Sequence, residues 1–378
     1  MEIHPVEDRR GRRRFVELAR RFRGGHPLYV PPLTGEILRL LDPARNPALR
    51  VARLGLWTAT DPDGRPRGRI AALFDPRHAE SLGEPAGWFG FFDADGPEAA
   101  RALVDQACSW LARQGAAAAL GPADPDTNHE CGCLMEGHDQ LPYLMMPHHP
   151  PEYGTWLAAA GLEKGKDLLA YETSVTRFPF DRIEPVARRA LERAGVELVH
   201  IRRRDLPRFL DAARQIYNEA WARNWGFLPM TAEEFAFEAE GLKLLVDPDY
   251  TMLAQHRGRP AGFLLGVVDP NPALHRIQSR LFPFGILRLP FLLRRVKRMR
   301  VMALGVLPAF RRRGIELALV HHLAMRAAAR GIETAEMSWV LEDNREMNSL
   351  ARRVGGTVTR RYRIFRRPLQ PAAVSGSG

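Results

Sequence analysis

The chain predicts an α/β fold in two tandem domains of related architecture, each a mixed central sheet flanked by helices. Three observations lead there. Strand-length apolar segments alternate with amphipathic helix-length segments over residues 301–365, the pattern of layered α/β proteins. At 378 residues the chain exceeds one ordinary domain, and 45% apolar residues suffice for two cores. The two halves also echo each other in order and spacing. Gly64-Arg65-Pro66-Arg67-Gly68 matches Gly258-Arg259-Pro260-Ala261-Gly262 at a distance of 194 residues, and Gly161 precedes Gly355 by the same distance.

Each element has a local reason. Residues 54–73 read as a hairpin turning at Asp61-Pro62-Asp63-Gly64, and 250–268 as its counterpart turning at Arg257-Gly258. A strand over 87–92 leads into the turn Asp93-Ala94-Asp95-Gly96-Pro97-Glu98 and a helix that Gly115 ends. In the second half a strand over 301–306 leads through a basic turn into a helix over 317–330, ended by Gly331. A strand over 333–341, a helix after Asn344, Gly355-Gly356 and a last strand over 358–365 complete that half. Gly115 and Gly331 lie 216 residues apart; insertions at 271–300 and 122–150 account for the difference. The expected domains are therefore 1–173 and 174–370, joined by a polar link over 174–185, with a flexible tail at 371–378.

Charge and cysteines bound the function. The net charge of +11 favours anionic partners. Of 55 basic residues all but Lys164, Lys166, Lys243 and Lys297 are arginine. No long uncharged apolar run predicts a membrane span, and residues 1–14 lack the apolar region of a secretory signal. Cys108, Cys131 and Cys133 fit a reducing cytoplasm better than a disulfide framework.

The functional signal lies in the turn Leu307-Pro308-Ala309-Phe310-Arg311-Arg312-Arg313-Gly314-Ile315-Glu316. First-turn amides have no intrahelical partners, and the macrodipole adds partial positive charge. With three arginines in front, this helix start suits a phosphate or pyrophosphate. The turn resembles the acyl-CoA-binding motif of the GNAT acyltransferase family: Arg or Gln, two residues, Gly, one residue, then Gly or Ala. Arg311 and Gly314 match the first two defining positions; Glu316 departs from the third. Downstream, Asn344 and Gly355 fall on the family spacing, with Met347 and Gly356 in place of its small and aromatic residues. Residues 217–221 and 224–227 resemble the front helix and loop of a tandem-domain subgroup.

The resemblance implies transfer of an acyl group, most simply acetyl, from acetyl-CoA or another acyl-CoA to a small-molecule amine. The strands 301–306 and 333–341 would splay around the cofactor arm, and a backbone amide at Leu304, Gly305 or Val306 would polarise the thioester carbonyl. Arg311, Arg312, Arg313, Gly314, Ile315 and Glu316 would hold the pyrophosphate, with Asn344 in register as a further contact or a helix cap. Glu336 shares a strand face with Ser338 and is the candidate base. The tyrosine that serves the family as general acid falls on Ala351, which leaves Tyr362 or water. Asn218, Trp225, Phe227 and Ser338 are the candidate acceptor contacts.

Other segments receive plainer readings. Three acids crowd the first-half helix start, so that half is expected to keep the fold and lose the cofactor. His129, Cys131, Cys133, His138, His148 and His149 lack zinc-site spacing, and no metal is expected. The stretch 124–143 is instead a candidate to reach the second half's substrate site. The apolar stretch 281–295 could line an acyl pocket, bury a dimer face or lie on a membrane, and burial between the halves is the expectation. Two rival functions stay open. One is a transferase using aminoacyl-tRNA, motivated by the charge and the off-pattern Glu316 and Ala351. The other is a non-catalytic CoA-binding scaffold.

Overall fold

The computed structural model describes residues 1–370; the expected tail lies outside them. The first half holds strands β1 (Glu2–Pro5), β2 (Arg53–Thr60), β3 (Pro66–Phe74), β4 (Ala86–Ala94), β5 (Ala118–Gly121), β6 (Ala123–Asp124), β7 (Glu130–Cys131), β8 (Cys133–Glu136) and β9 (Glu163–Ser174). Its helices are α1 (Arg9–Arg23), α2 (Thr34–Leu40), α3 (His78–Leu82), α4 (Pro97–Arg113) and α5 (Glu152–Ala159). The second half holds β10 (Val196–His200), β11 (Val246–His256), β12 (Arg259–Val268), β13 (Arg298–Val306), β14 (Thr334–Leu341) and β15 (Thr357–Pro368). Its helices are α6 (Phe180–Ala194), α7 (Leu206–Trp221), α8 (Ala232–Leu242), α9 (Asn271–Arg276), α10 (Gly285–Leu293), α11 (Ile315–Ala329) and α12 (Arg345–Arg353).

The two halves repeat one strand order. The hairpin β2–β3 continues antiparallel into β4, which pairs in parallel with β5. The hairpin β11–β12 continues the same way into β13, parallel to β14. The matched glycines explain themselves: Gly161 and Gly355 sit at φ +83° and +84°, Gly64 and Gly258 both at +75°. A side chain is strained in that left-handed region, so glycine is retained in both copies.

The last strands are exchanged. The path through the sheet runs β1-β2-β3-β4-β5-β15-β9-β14-β13-β12-β11-β10, with β8 also on β15, thirteen strands in all. The first half's final strand β9 thus lies against β14 of the second, and the second half's β15 lies against β5 of the first. The two exchanged strands pair with each other from Thr357↔Glu172 to Arg366↔Glu163. Each half has its own core, around Phe89, Leu103 and Leu157 in one and Met252, Leu319 and Met337 in the other. A third cluster beneath the exchange joins Trp88, Leu134, Tyr143, Leu168, Leu341 and Tyr362 from both halves.

Two local expectations are corrected. Pro185 lies inside α6 and not in a link, because the helix starts at Phe180. The stretch 281–295 is not buried between the halves: Phe282, Phe284, Ile286, Leu287 and Phe291 all face outward.

Candidate active site

The second half presents an open cleft. β13 and β14 pair only from Arg298↔Thr334 to Val301↔Met337 and then part. A β-bulge shifts β13 against β12 between the pairs Leu265↔Ala303 and Gly266↔Val301. Past it Met302, Ala303 and Leu304 are only half-buried, so the strand keeps an accessible edge. Gly305 is required where α7 crosses: a Cβ there would stand 3.1 Å from the Trp221 ring and 3.3 Å from Ala220 Cβ.

β13 ends at the basic turn. Gly314 caps α11 at φ +81°, and a Cβ there would meet Ala190 at 3.0 Å. The amides of Arg312, Arg313, Gly314 and Ile315 have no protein acceptor among the described residues, whereas Ala318 N already donates to Gly314 O at 3.1 Å. Four successive donors therefore stand without protein partners at a helix N-terminus, the kind of place that receives phosphate oxygens. Arg311 braces the turn: its guanidinium donates to Val306 O at 3.3 Å and to Ala220 O. Arg312 is exposed and pairs with Glu346 at 3.2 Å, and the Arg313 guanidinium lies 5.5 Å from the Phe310 ring centre. Burial pushes the Glu316 carboxyl up, aided by Glu346 and opposed by its own amide and Arg311.

The matching place in the first half is filled by its own chain. β4 and β5 pair from Ala86↔Ala118 to Trp88↔Leu120, and the chain past β5 stays beside β4 through β6. Asp124 Oδ1 accepts from Phe91 N at 2.5 Å, and a Cβ on Gly90 would collide with Ala123 O. All nine residues of β4 are buried. At the head of α4, Pro97 removes one amide. Asp93 is held by Arg23 at 2.8 Å and Arg69 at 2.7 Å.

Other candidates from the sequence sit in paired roles. Glu336 is fully buried, accepting from Arg360 Nη1 at 2.7 Å and Ser338 Oγ at 2.5 Å. Burial pushes its carboxyl up while Arg360 and Ser338 pull it down. Arg300 Nε donates to Ser338 Oγ at 3.0 Å, and Arg360 also donates to Leu141 O at 2.9 Å. Glu336 thus anchors Arg360 and Ser338 in a buried network whose arginines, Arg360 and Arg300, hold the first-half loop carbonyls of Leu141 and Leu144, and it is closed to solvent. Tyr362 is fully buried in the shared core, its hydroxyl without a partner among the described residues, and burial raises its phenol. Asn344 Oδ1 caps α12 by accepting from Met347 N at 3.1 Å. Asn218 clips the loop after α7, bonding both N and O of Met230 at 3.0 and 2.8 Å. Phe227 is buried edge-on to Tyr217 at 5.1 Å, and the half-buried Trp225 meets Trp88 edge-on at 6.0 Å.

The stretch 124–143 reaches the second half. Thr127 Oγ1 donates to Gly226 O and Tyr217 Oη to Asn128 Oδ1, both at 2.7 Å. His129 bridges Asp126 at 2.8 Å and Glu238 of α8 at 3.1 Å. Burial alone would depress its pKa, but the two carboxylates hold it well above the ordinary value, as imidazolium. Next to it stands Glu130, which the sequence reading passed over. Its carboxyl has no hydrogen-bond or ion-pair partner among the described residues. Burial and then Asp124 push it up to about 7, against Arg23 and Arg300. It lies on β7 opposite Asp124 of β6, and its charge acts weakly on Arg300 of β13 and Tyr362 of β15. The signal that points to it is an acid within an insertion peculiar to one copy of the repeat.

Comparison with known proteins agrees with this geometry. A model of the Acetyltransferase (GNAT) family matches residues 210–355. The chain is 36% identical to Protein YghO of Escherichia coli over 91% of its own length and 89% of the relative's. It is 32% identical to the bacterial ceramide synthase of Caulobacter vibrioides over 98% of both chains. Its fold is similar to that of a tandem GNAT protein from the clavulanic acid biosynthesis pathway, with a TM-score of 0.57 at 15% identity, covering 98% of this chain and 99% of that one.

Proposed function

The chain belongs to the GNAT family of acyltransferases as a tandem-domain member, and on that premise we propose that it joins a fatty acyl group from acyl-CoA to the amino group of a long-chain amino alcohol. The observation that carries the donor half is the pairing of an open β13/β14 cleft with unpartnered amides at the start of α11. The acceptor half is supported by the relative named a ceramide synthase, matched along nearly its whole length, since a ceramide is an N-acylated long-chain amino alcohol. Acetyl transfer to a small polar amine is the simpler alternative within the same chemistry.

Acyl-CoA supplies the thioester; the protein supplies position, charge and a proton acceptor. The amides of Arg312, Arg313, Gly314 and Ile315 take the pyrophosphate. The free edge of β13 near Leu304 receives the arm and offers an amide to the oxygen that becomes negative on attack. Glu130, with a carboxyl near 7, takes one proton from the ammonium so that the free amine attacks the thioester carbon. Collapse of the tetrahedral adduct breaks the carbon–sulfur bond, and the second proton lost by the nitrogen passes through solvent to the leaving thiolate.

The test is release of free thiol with acetyl-CoA and palmitoyl-CoA against a long-chain amino alcohol, glucosamine and aminoacyl-tRNA, the product weighed by mass spectrometry. The long-chain pair is expected to exceed every other combination by at least ~100-fold in kcat/KM, because remote binding energy is spent at the reacting centre. Turnover with acetyl-CoA and glucosamine alone, transfer from aminoacyl-tRNA, or CoA binding without turnover contradicts the assignment.

A further inference from the structure

The insertion between β12 and β13 carries a surface with no use in the cleft. Phe282 is 88% exposed, Phe284 70%, Ile286 58%, Leu287 67% and Phe291 68%. Such a cluster on a folded protein marks something that covers it. It is not a frayed end, because the base of the insertion is pinned. His275 Nε2 meets Pro27 O at 2.7 Å, Asn271 Nδ2 donates to Pro142 O at 3.0 Å, and Ser279 Oγ donates to Pro31 O at 2.5 Å.

Charge decides what the cover is. Residues 271–300 contain eight arginine and lysine residues and no acid. Arg276, Arg280, Arg288, Arg294 and Arg295 are exposed, and none has an acidic partner among the described residues. Arg276, Arg295 and Lys297 also rim an open groove of about 280 Å³ with Leu292 and Val296 on its wall, where Glu333 pairs with Lys297 at 2.7 Å and leaves the arginines uncompensated. A second copy of the chain seated on this face would set five unneutralised guanidinium groups against the same five, which like charge disfavours. A negatively charged lipid surface accepts both features at once: aromatic and leucine side chains enter the acyl boundary while the cations meet phosphates.

We infer that α10 and the residues before it dock the protein on an anionic phospholipid bilayer, with lipid phosphates at Arg276, Arg288, Arg294 and Arg295. No helix of the described residues is long and apolar enough to cross a membrane, so the contact is with one leaflet. The insertion lies at the Arg298 end of β13 and the basic turn at its Val306 end, roughly 25 Å apart at strand rise. One end of the strand thus faces lipid while the other stays in water with the nucleotide. This inference rests on the surface and stands whatever the acceptor amine is.

Flotation of the full-length protein with phosphatidylcholine vesicles, with and without phosphatidylglycerol, tests it. The protein floats with the anionic vesicles, stays behind with neutral ones, and is released as salt rises. A triple variant Phe282→Ser, Phe284→Ser, Phe291→Ser lowers the partition at least ~10-fold. Arg288→Gln, Arg294→Gln, Arg295→Gln lowers it by more than ~30-fold at low salt. Both sets change exposed side chains, and unaltered CoA binding in solution certifies their fold. Equal binding to neutral vesicles, no binding to either, or a dimer in solution that the serine variant dissociates overturns the inference.

Discussion

Glu130 and Glu336 are both buried-side acids with raised carboxyls, and their partners separate their roles. Glu336 holds Arg360 at 2.7 Å in a core contact, whereas Glu130 has no partner among the described residues and is pushed up to about 7 by burial. A base must be unprotonated to act. The wild-type rate is therefore expected to climb about tenfold per pH unit below about 7 and to level above it. Replacing Glu130 with Gln removes that limb and lowers kcat by ~10²–10³-fold with little change in KM for acyl-CoA. A pH–rate profile of the two proteins checks it; an unchanged limb in the variant refutes the role. The sign for stability is opposite to that for rate. The folded state holds the Glu130 proton more tightly than the unfolded chain does, so this residue's contribution falls as pH rises from the ordinary carboxylate range to about 7. At this scale the sequence shows what is local. Gly314 and Arg311 are visible because a turn motif needs only adjacent residues. Glu130 is not, because its environment comes from Asp124 across a two-residue ladder and from Arg300 on a distant strand.

The elements show how one topology yields an occupied and an empty cleft. β13 and β14 part after a parallel ladder of four pairs ending at Val301↔Met337, whereas the three-pair β4/β5 ladder ends at Trp88↔Leu120 with β6 still beside β4. The acids before α4 carry the expectation of a half without cofactor, and Asp124 on Phe91 N occupies the corresponding strand edge. Periodicity locates β13, β14 and α11 to within a few residues, since a strand bounded by turns and an amphipathic helix leave plain patterns. Two element-level facts escape such patterns. β9 and β15 both read as ordinary final strands, and alternation of side chains says nothing about which neighbour a strand will have. α10 is apolar around most of its circumference, a pattern that reads as burial; only the fold shows that no protein covers it.

Across the whole molecule, the exchange of β9 and β15 makes the halves depend on each other. A chain cut at the proposed boundary near 173 leaves each fragment holding the strand that completes the other's sheet. Fragments 1–173 and 174–370 are expected to be poorly folded when made alone and to regain structure when co-expressed, while the intact chain unfolds in one transition. Circular dichroism and denaturant titration read this directly, and two independently folded fragments would disprove the dependence. The asymmetry of the two clefts has a sharper consequence. Isothermal titration with CoA is the most direct measurement, made on the wild type, on Gly314→Val and on Gly96→Val. The valine at 314 meets a left-handed backbone and the Ala190 methyl, whereas Gly96 has an extended backbone with open space at its Cβ. One CoA per chain is expected in the wild type and in Gly96→Val, with affinity at least ~10-fold weaker in Gly314→Val. Two sites per chain, or full affinity in Gly314→Val, would contradict the assignment of the cofactor to the second half.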